Sequence, residues 1–458
     1  MMKINQSIFF GVLSMGLLGL SSANATNLLD TYQMALQNDQ TYANAVGTAK
    51  VTAEKSPQAL AALLPQITGT GSLAWAKTYT DATSTTASSN IASKTRKYDL
   101  TLTQQIFNFT DFLALGSARN ATKSAYATLS FAKQTLMSST VSAYLKVLSD
   151  EEDLKYDEAL KKALYEQYYQ AQESFNVGTK TIIDVDQAKA AYNGAIGTYI
   201  SAENQLNSDV EALSVITGKL DTDLTPLKKT IPLISPNPQN VQSWIQGAMT
   251  HNWKVTADRY TVMADRDSVK SEWGGHLPTL DVEGEYTDTK PFAGASSPTA
   301  TRARSATLEL SVPIFSGFNV TSQVRQAIAQ EQADQATLDL DRRTEVQTVR
   351  TAYAAINYDI SSIRAAYDTV AADHSSVNST VEGYKVGTQN MTDVLTAEQK
   401  LYADLKSYSQ SRFQYLNDII SLKQAAGLLS VKDVAAMNSW LGYPQTTHAR
   451  PAKSTHHN

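Results

Sequence analysis

The sequence predicts an α + membrane β protein built as an internal tandem repeat. Three observations carry that reading. Two windows of more than 60 residues, Ser117–Val177 and Phe318–Glu382, hold neither proline nor glycine, whereas a globular helix averages about 11–12 residues. Runs of about ten residues that alternate apolar and polar, the period of a membrane β-barrel strand, stand ahead of each window. The stretch FNVGTKTIID at 175–184 returns as YKVGTQNMTD at 384–393, so that Asp184 and Asp393 lie 209 positions apart.

The N-terminus is set apart from the fold. Lys3, the apolar run Ile8–Leu20 and the small-residue site Ala23-Asn24-Ala25 mark residues 1–25 as a secretory signal peptide, with the mature chain starting near Thr26. No later stretch approaches the ~20 apolar residues of a membrane helix, so the exported chain is either soluble or crosses a membrane as β-structure. The 458 residues include no cysteine, which excludes a disulfide framework or thiolate metal site. Of six histidines, His448, His456 and His457 sit in a polar tail, and none is spaced for a metal; no metal or cofactor is expected. A net charge of −5 argues against a nucleic-acid partner. Gly178-Thr179-Lys180-Thr181 lacks the earlier glycine and the Gly-Lys pair of a phosphate loop, and no nucleophile motif appears. The chain is therefore not expected to be an enzyme, and energy must come from a partner.

Strands are expected at 67–80 and 97–107 in the first half, and at 279–290 and 303–315 in the second. Tyr98, Leu100, Leu102, Gln104 and Ile106 alternate with Asp99, Thr101, Thr103 and Gln105. Leu280, Val282, Gly284 and Tyr286 alternate with Asp281, Glu283 and Glu285 in the same way, and Leu308, Leu310, Val312 and Ile314 with Glu309 and Ser311. A half-buried strand of a soluble sheet gives the same period. Loops rich in Ser, Thr, Ala and Gly, Ala82–Ser93 and Ala293–Thr301, join the pairs. Phe107 and Phe315 end them at equivalent places, with Phe109 and Phe318 close by; aromatics cluster in this way at a membrane interface, and they also cap any barrel or bundle core.

The long windows follow. Val346, Val349, Tyr353, Ile356, Ile360, Ile363, Tyr367, Val370, His374, Val377, Val381 and Tyr384 step by threes and fours. That is a heptad, which winds helices together with a left-handed supercoil. His374 and Arg412 are the polar exceptions at seam positions, read as register-fixing or water-facing residues. The acidic run Asp150-Glu151-Glu152-Asp153 reads as a solvated face. Each window ends at Val-Gly-Thr, where Gly178 and Gly387 supply positive φ. Thr181 and Asn390 are N-caps of the next helix, and Asp184 and Asp393 stand three residues on, as in a capping box. The proline-rich stretch Thr222–Gln239 is the linker. The first repeat spans 26–238 and the second 239–430, and 431–458 is a C-terminal segment and tail.

Four membrane strands cannot close, and an open edge in lipid leaves backbone groups unpaired at several kcal/mol each. Several copies must therefore share one barrel, with the long helices continuing it as a tube. LLPQI, QQIFNF, FNVGTKTIIDV, HLPTLDV, LSVPIFSG, VQTVRTAY and YKVGTQNMTDVLTA, in this two-half order, resemble the TolC-type outer membrane efflux channels from about Asn27 to Leu441. The resemblance implies a homotrimer with a twelve-stranded outer-membrane barrel, a periplasmic helical tunnel, and a mixed α/β belt made by the linker and the C-terminal segment. It implies an exit duct for drugs, toxins or proteins, docked on a periplasmic adaptor and an inner-membrane transporter of RND or ABC type. Val177, Gly178, Thr179, Val386, Gly387 and Thr388 would be the docking tips. An entrance role passes to Asp393, and with it to Asp184, Tyr384, Lys180 and Gln167. Gln389 and Thr396 replace, respectively, an arginine and a second aspartate of the family pattern. A secreted or periplasmic coiled-coil structural protein and a solute porin are the alternatives.

Overall fold

The computed structural model describes residues 25–80, 89–220, 222–293 and 299–442. The expected signal peptide up to residue 24, residues 82–88 and 294–298 of the two loops, and the tail from 443 with its three histidines lie outside the described residues. Three short helices, α1 (Leu28–Asn38), α2 (Gln40–Ala53) and α3 (Lys55–Ala62), lead into strands β1 (Gln66–Thr80) and β2 (Ser89–Phe107), then α4 (Phe109–Asn176) and α5 (Ile182–Thr217). The second half repeats this order as α6 (Val241–His251), α7 (Trp253–Gly274), β3 (Thr279–Ala293), β4 (Thr301–Ser311), α8 (Asn319–Lys385) and α9 (Met391–Ala425), with α10 (Val431–Asn438) at the end. Helices α4 and α8 run 68 and 67 residues, about 100 Å each at 1.5 Å per residue. Asn108 starts α4 by accepting from the Thr110 and Asp111 N–H groups, as a short polar side chain does for the unpaired first-turn amides.

The strands form one antiparallel sheet in the order β1-β2-β3-β4. The β2–β3 pairing therefore joins the two repeats inside a single sheet. Its register sorts side chains by polarity, because directly opposed residues share a face. Leu102 faces Ile67 and Gly284, Leu100 faces Gly69 and Tyr286, and Val282 faces Leu308. On the other face Thr101 meets Thr68 and Glu285, and Asp281 meets Glu309. The strand bounds differ from expectation at both ends. β2 and β3 extend further toward the loops, while β4 stops at Ser311 rather than 315. Ser311 is the partner of Thr279, the first residue of β3, and Pro313 has no N–H to continue the ladder. Phe315 and Phe318 lie beyond the strand, exposed and edge to face at 5.5 Å.

Helix α4 packs on α5, α7 and α9, and α8 on α7 and α9. Their main core gathers Leu28, Tyr144, Leu213, Ile356, Tyr415 and Leu416 around the middle of the long helices. The linker is laid over this core. It bridges the N-terminal segment at Thr26 and Leu224 and the C-terminal segment at Leu227 and Leu441. Tyr144 Oη donates to the Thr225 carbonyl at 2.9 Å, and Tyr415 Oη accepts from the Ile234 N–H at 2.7 Å. Arg412 is buried there, its guanidinium donating to the Lys228 carbonyl. His374, by contrast, is exposed.

The acidic run is not a solvated face. Asp150 is buried and Glu151, Glu152 and Asp153 half-buried, because α5, α9 and the linker cover that turn of α4. Lys146 reaches Asp150 at 2.5 Å and Asp209 of α5 at 3.1 Å. Ser409 donates to Glu152, and Gln410 to Asp153 at 2.7 Å. The heptad seam of α8 is buried at Val349, Ile356, Ile360 and Ile363, but Tyr367 is 62% exposed and Val370, Val377 and Val381 are half-buried. The lower part of the stripe is left uncovered in a single chain.

Candidate functional site

The two Val-Gly-Thr turns lie at one end of the helical body, where α4 gives way to α5 and α8 to α9. Each must stop a helix, reverse the chain and start another within five residues. Gly178 and Gly387 take φ of +77° and +83°, a conformation that costs an L-residue with a Cβ roughly 1–2 kcal/mol. Gly178 N–H donates to the Phe175 carbonyl and Thr179 N–H to that of Ser174, both at 2.9 Å. In the second copy Gly387 donates to Tyr384 at 3.2 Å and Thr388 to Gly383 at 2.8 Å. This paired pattern satisfies the carbonyls a helix leaves free at its C-terminus. The threonine hydroxyls add a bond to the same acceptors, Thr179 Oγ1 to Ser174 at 2.9 Å and Thr388 Oγ1 to Gly383 at 3.1 Å. That use of threonine was missed in the sequence, although its duplication was the signal.

The restart is a capping box in both copies. Thr181 Oγ1 accepts from the Asp184 N–H at 3.4 Å while Asp184 Oδ2 accepts from the Thr181 N–H at 3.0 Å. Asn390 Oδ1 and Asp393 Oδ2 exchange the same bonds at 2.9 and 3.0 Å. Together the cap and its reciprocal carboxylate contribute about 0.5–2 kcal/mol to each helix start. Asp184 and Asp393 are both half-buried.

The tips touch through the residue that differs between them. Lys180 Nζ donates to the Tyr384 carbonyl at 3.4 Å and lies 3.9 Å from the centre of the Tyr384 ring, a cation–π geometry. Burial, and after it the Asp184 carboxylate, push the Tyr384 phenol above its ordinary range. Thr392 Oγ1 meets Gln187 Oε1 at 3.0 Å as a second link. Beneath them Met391 is fully buried against Leu164, Ala171, Val185, Ala188 and Leu395. Gln389 and Thr396 are exposed. The Gln389 side chain folds over Gly383, where a Cβ would come 2.7 Å from its Cγ, so a side chain at 383 would have to displace that of Gln389. Val177 and Val386 are 73% and 75% exposed, which leaves apolar surface on each turn.

Gln167 stands apart from this group. It is buried in the seam between α4 and α9, where its Nε2 donates to Glu398 Oε1 at 2.8 Å. It lies in this seam about three turns of α4 above the Val-Gly-Thr turn. Its partner was not singled out in the sequence, since an isolated glutamate on a heptad helix looks like any surface residue. Burial pushes the Glu398 carboxyl upward, and the Gln167 amide partly offsets this. Among the described residues no group of acidic or histidine side chains is arranged to hold a metal.

The family model "Outer membrane efflux protein" matches residues 31–219 and 244–428, one segment in each half. The chain is 31% identical to outer membrane protein TolC of Escherichia coli (strain K12) over 95% of its own length and 90% of that protein. It is 27% identical to the alkaline protease secretion protein AprF of Pseudomonas aeruginosa over 90% of its length and 86% of that protein. Among solved structures, the CmeC outer membrane channel of Campylobacter jejuni superposes with a TM-score of 0.77 at 17% identity, covering 96% of this chain and 97% of that one. The four-stranded sheet and long helical hairpins are thus the fold of an outer membrane channel. This leaves no place for the readings as a solute porin or a soluble coiled-coil protein. The chain belongs to the outer membrane efflux protein family.

Proposed function

We propose that this chain works as a homotrimer, a passive exit duct gated at its paired tips. Three four-stranded sheets close a twelve-stranded barrel with no free edge in lipid. The hairpins continue it as a tunnel into the periplasm, and the stripe of α8 left uncovered in one chain is covered by its neighbours. Efflux and secretion both fit such a duct, and its relatives are named for each. The Val-Gly-Thr turns dock a periplasmic adaptor, and an RND- or ABC-type transporter in the inner membrane supplies the energy.

The observation that carries the gate is the duplicated tip. Asp184 and Asp393 are fixed by capping boxes at one end of the molecule, so three chains bring six carboxylates to one ring. A ring of carboxylates concentrates cations at a constriction. The Lys180–Tyr384 contact holds the two hairpins of one chain together at that end. Planar-bilayer recordings test this reading. Block by a trivalent cation added from the tip side weakens at least tenfold in Asp393→Ala, while block unchanged from wild type overturns the pore-facing placement.

A further inference from the structure

The apolar face of the sheet does not stay apolar to its end. On β2 the residues of this face run Leu102, Leu100 and Tyr98, and then Arg96 and Lys94. On β4 they run Leu310, Leu308 and Ala306, and then Arg304 and Arg302. Lys290 of β3 lies directly opposite Arg96, and Lys77 of β1 lies on the same face beyond Trp75. All six cations sit at the loop end, away from the helices. From Phe107 to Tyr98 the strand rises about 30 Å, and with the usual tilt this matches an apolar band about 25 Å tall. On β2 the basic residues therefore begin where the hydrocarbon ends, on the outer side, while Arg304, in the row of Tyr286 and Leu100, stands one step nearer the helices.

Their pairing within the chain leaves charge unspent. Like charges directly opposed across a ladder are destabilising, and Arg96 and Lys290 are so opposed. Among the described residues, the one carboxylate on this face at that level is Asp288, 3.4 Å from Lys290 and 3.8 Å from Arg302. Arg96 and Arg304 instead lie over the rings of Tyr98 and Tyr286, at 5.5 and 5.8 Å, which leaves them without a carboxylate partner. The opposite face is different: there Lys97 is paired with Asp99 at 2.9 Å, and Asp281, Glu283, Glu285 and Glu309 make it acidic. A cationic rim on the lipid side and an acidic lining on the other is a separation that solubility alone does not require.

We propose that Lys77, Lys94, Arg96, Lys290, Arg302 and Arg304 form a binding rim for the phosphorylated headgroups of outer-leaflet lipid. Arginine offers a planar fork of donors that matches phosphate oxygens two at a time, and each basic group near an anionic membrane surface strengthens binding about fivefold. The rim would fix the height of the sheet in the membrane and offset its own cross-strand repulsion. It does not depend on what the channel carries.

The test uses the full assembled channel in phosphatidylcholine nanodiscs with increasing lipid A, a doubly phosphorylated glycolipid, read by native mass spectrometry and by the thermal midpoint. Lipid A raises the midpoint of the wild type, and this response falls as salt is raised. In Arg96→Gln/Lys290→Gln the apparent affinity drops about 30-fold, two such increments. Lys97→Gln, altered on the other face, keeps the wild-type affinity. An equal response to dephosphorylated lipid A, a response indifferent to salt, or an unchanged affinity in the double variant overturns the proposal. The salt and dephosphorylation measurements need only the wild-type protein, so they decide the matter even where the double variant fails to assemble.

Discussion

Each residue of Val-Gly-Thr has a separate backbone task at the tips. The valine ends the helix, the glycine takes positive φ, and the threonine returns to a helix carbonyl with both its N–H and its hydroxyl. Gly387→Val should strain this reversal by roughly 1–2 kcal/mol, with further crowding from the β-branch. Hydrogen exchange at the amides of residues 386–394 is then expected to quicken about 5- to 30-fold; rates equal to wild type would show that the turn does not need a glycine. The capping boxes were legible in the sequence because every partner lies within three residues. The contact of Lys180 with Tyr384 was not, since it depends on how closely two hairpins more than 200 residues apart approach each other. The close approach of the Gln389 side chain to Gly383 was hidden for the same reason, since it exists only in the folded turn.

At the scale of the hairpin, the repeat extends to an acidic pair that alternation and heptads did not reveal. Asp150 and Asp209 tie α4 to α5, and Asp359 and Asp418, each 209 positions later, tie α8 to α9. Gln205 and Gln414 are duplicated as well, donating to Asp209 at 2.8 Å and to Asp418 at 3.1 Å. The difference is Lys146, whose ammonium bridges the first pair; the equivalent position is Ala355. The second pair faces the Tyr415 phenol, and residues 231–240 of the linker bring no charged side chain to it. Burial of Asp359, and then its shared hydrogen bond with Asp418, push its carboxyl up to about 7. A carboxyl raised in the folded state binds a proton that the unfolded chain has released. Its stabilisation is therefore complete below the ordinary carboxylate range and is lost as pH rises toward 7. The loss is about 4 kcal/mol at the most. Asp359→Asn removes this proton, and the thermal midpoint of the purified channel should then fall less between roughly pH 4 and pH 8 than in wild type. Parallel pH profiles would mean that the pair does not share a proton. The acidic run beside Asp150 was misread as solvated because local sequence cannot tell that α9 and the linker close over it.

For the whole molecule, the open four-stranded sheet was the most informative feature of the sequence. Alternation located all four strands within a few residues except at their loop ends, and the impossibility of an open edge in lipid required further copies. What alternation could not supply was register, and register is what joins the two halves through β2 and β3 and gathers Ile67, Leu100, Leu102, Val282 and Leu308 on one face. Leu102 lies near the middle of that face, opposite Ile67 and Gly284, while its neighbour Thr103 lies opposite Gln66 and Glu283 on the acidic one. The two positions are adjacent in sequence and opposite in environment, so the same substitution at each separates a lipid face from a lumen face. Leu102→Arg puts a charge into the hydrocarbon at about 2–4 kcal/mol in every copy, and heat-modifiable trimers in outer-membrane extracts should become scarce. Thr103→Arg should assemble normally, because the guanidinium enters water beside Glu283. It should also lower the preference of the pore for cations, measured as a shift in reversal potential across a salt gradient. Normal assembly of Leu102→Arg, or loss of trimers in Thr103→Arg, would mean that the sheet faces lipid with its other side or does not cross the membrane.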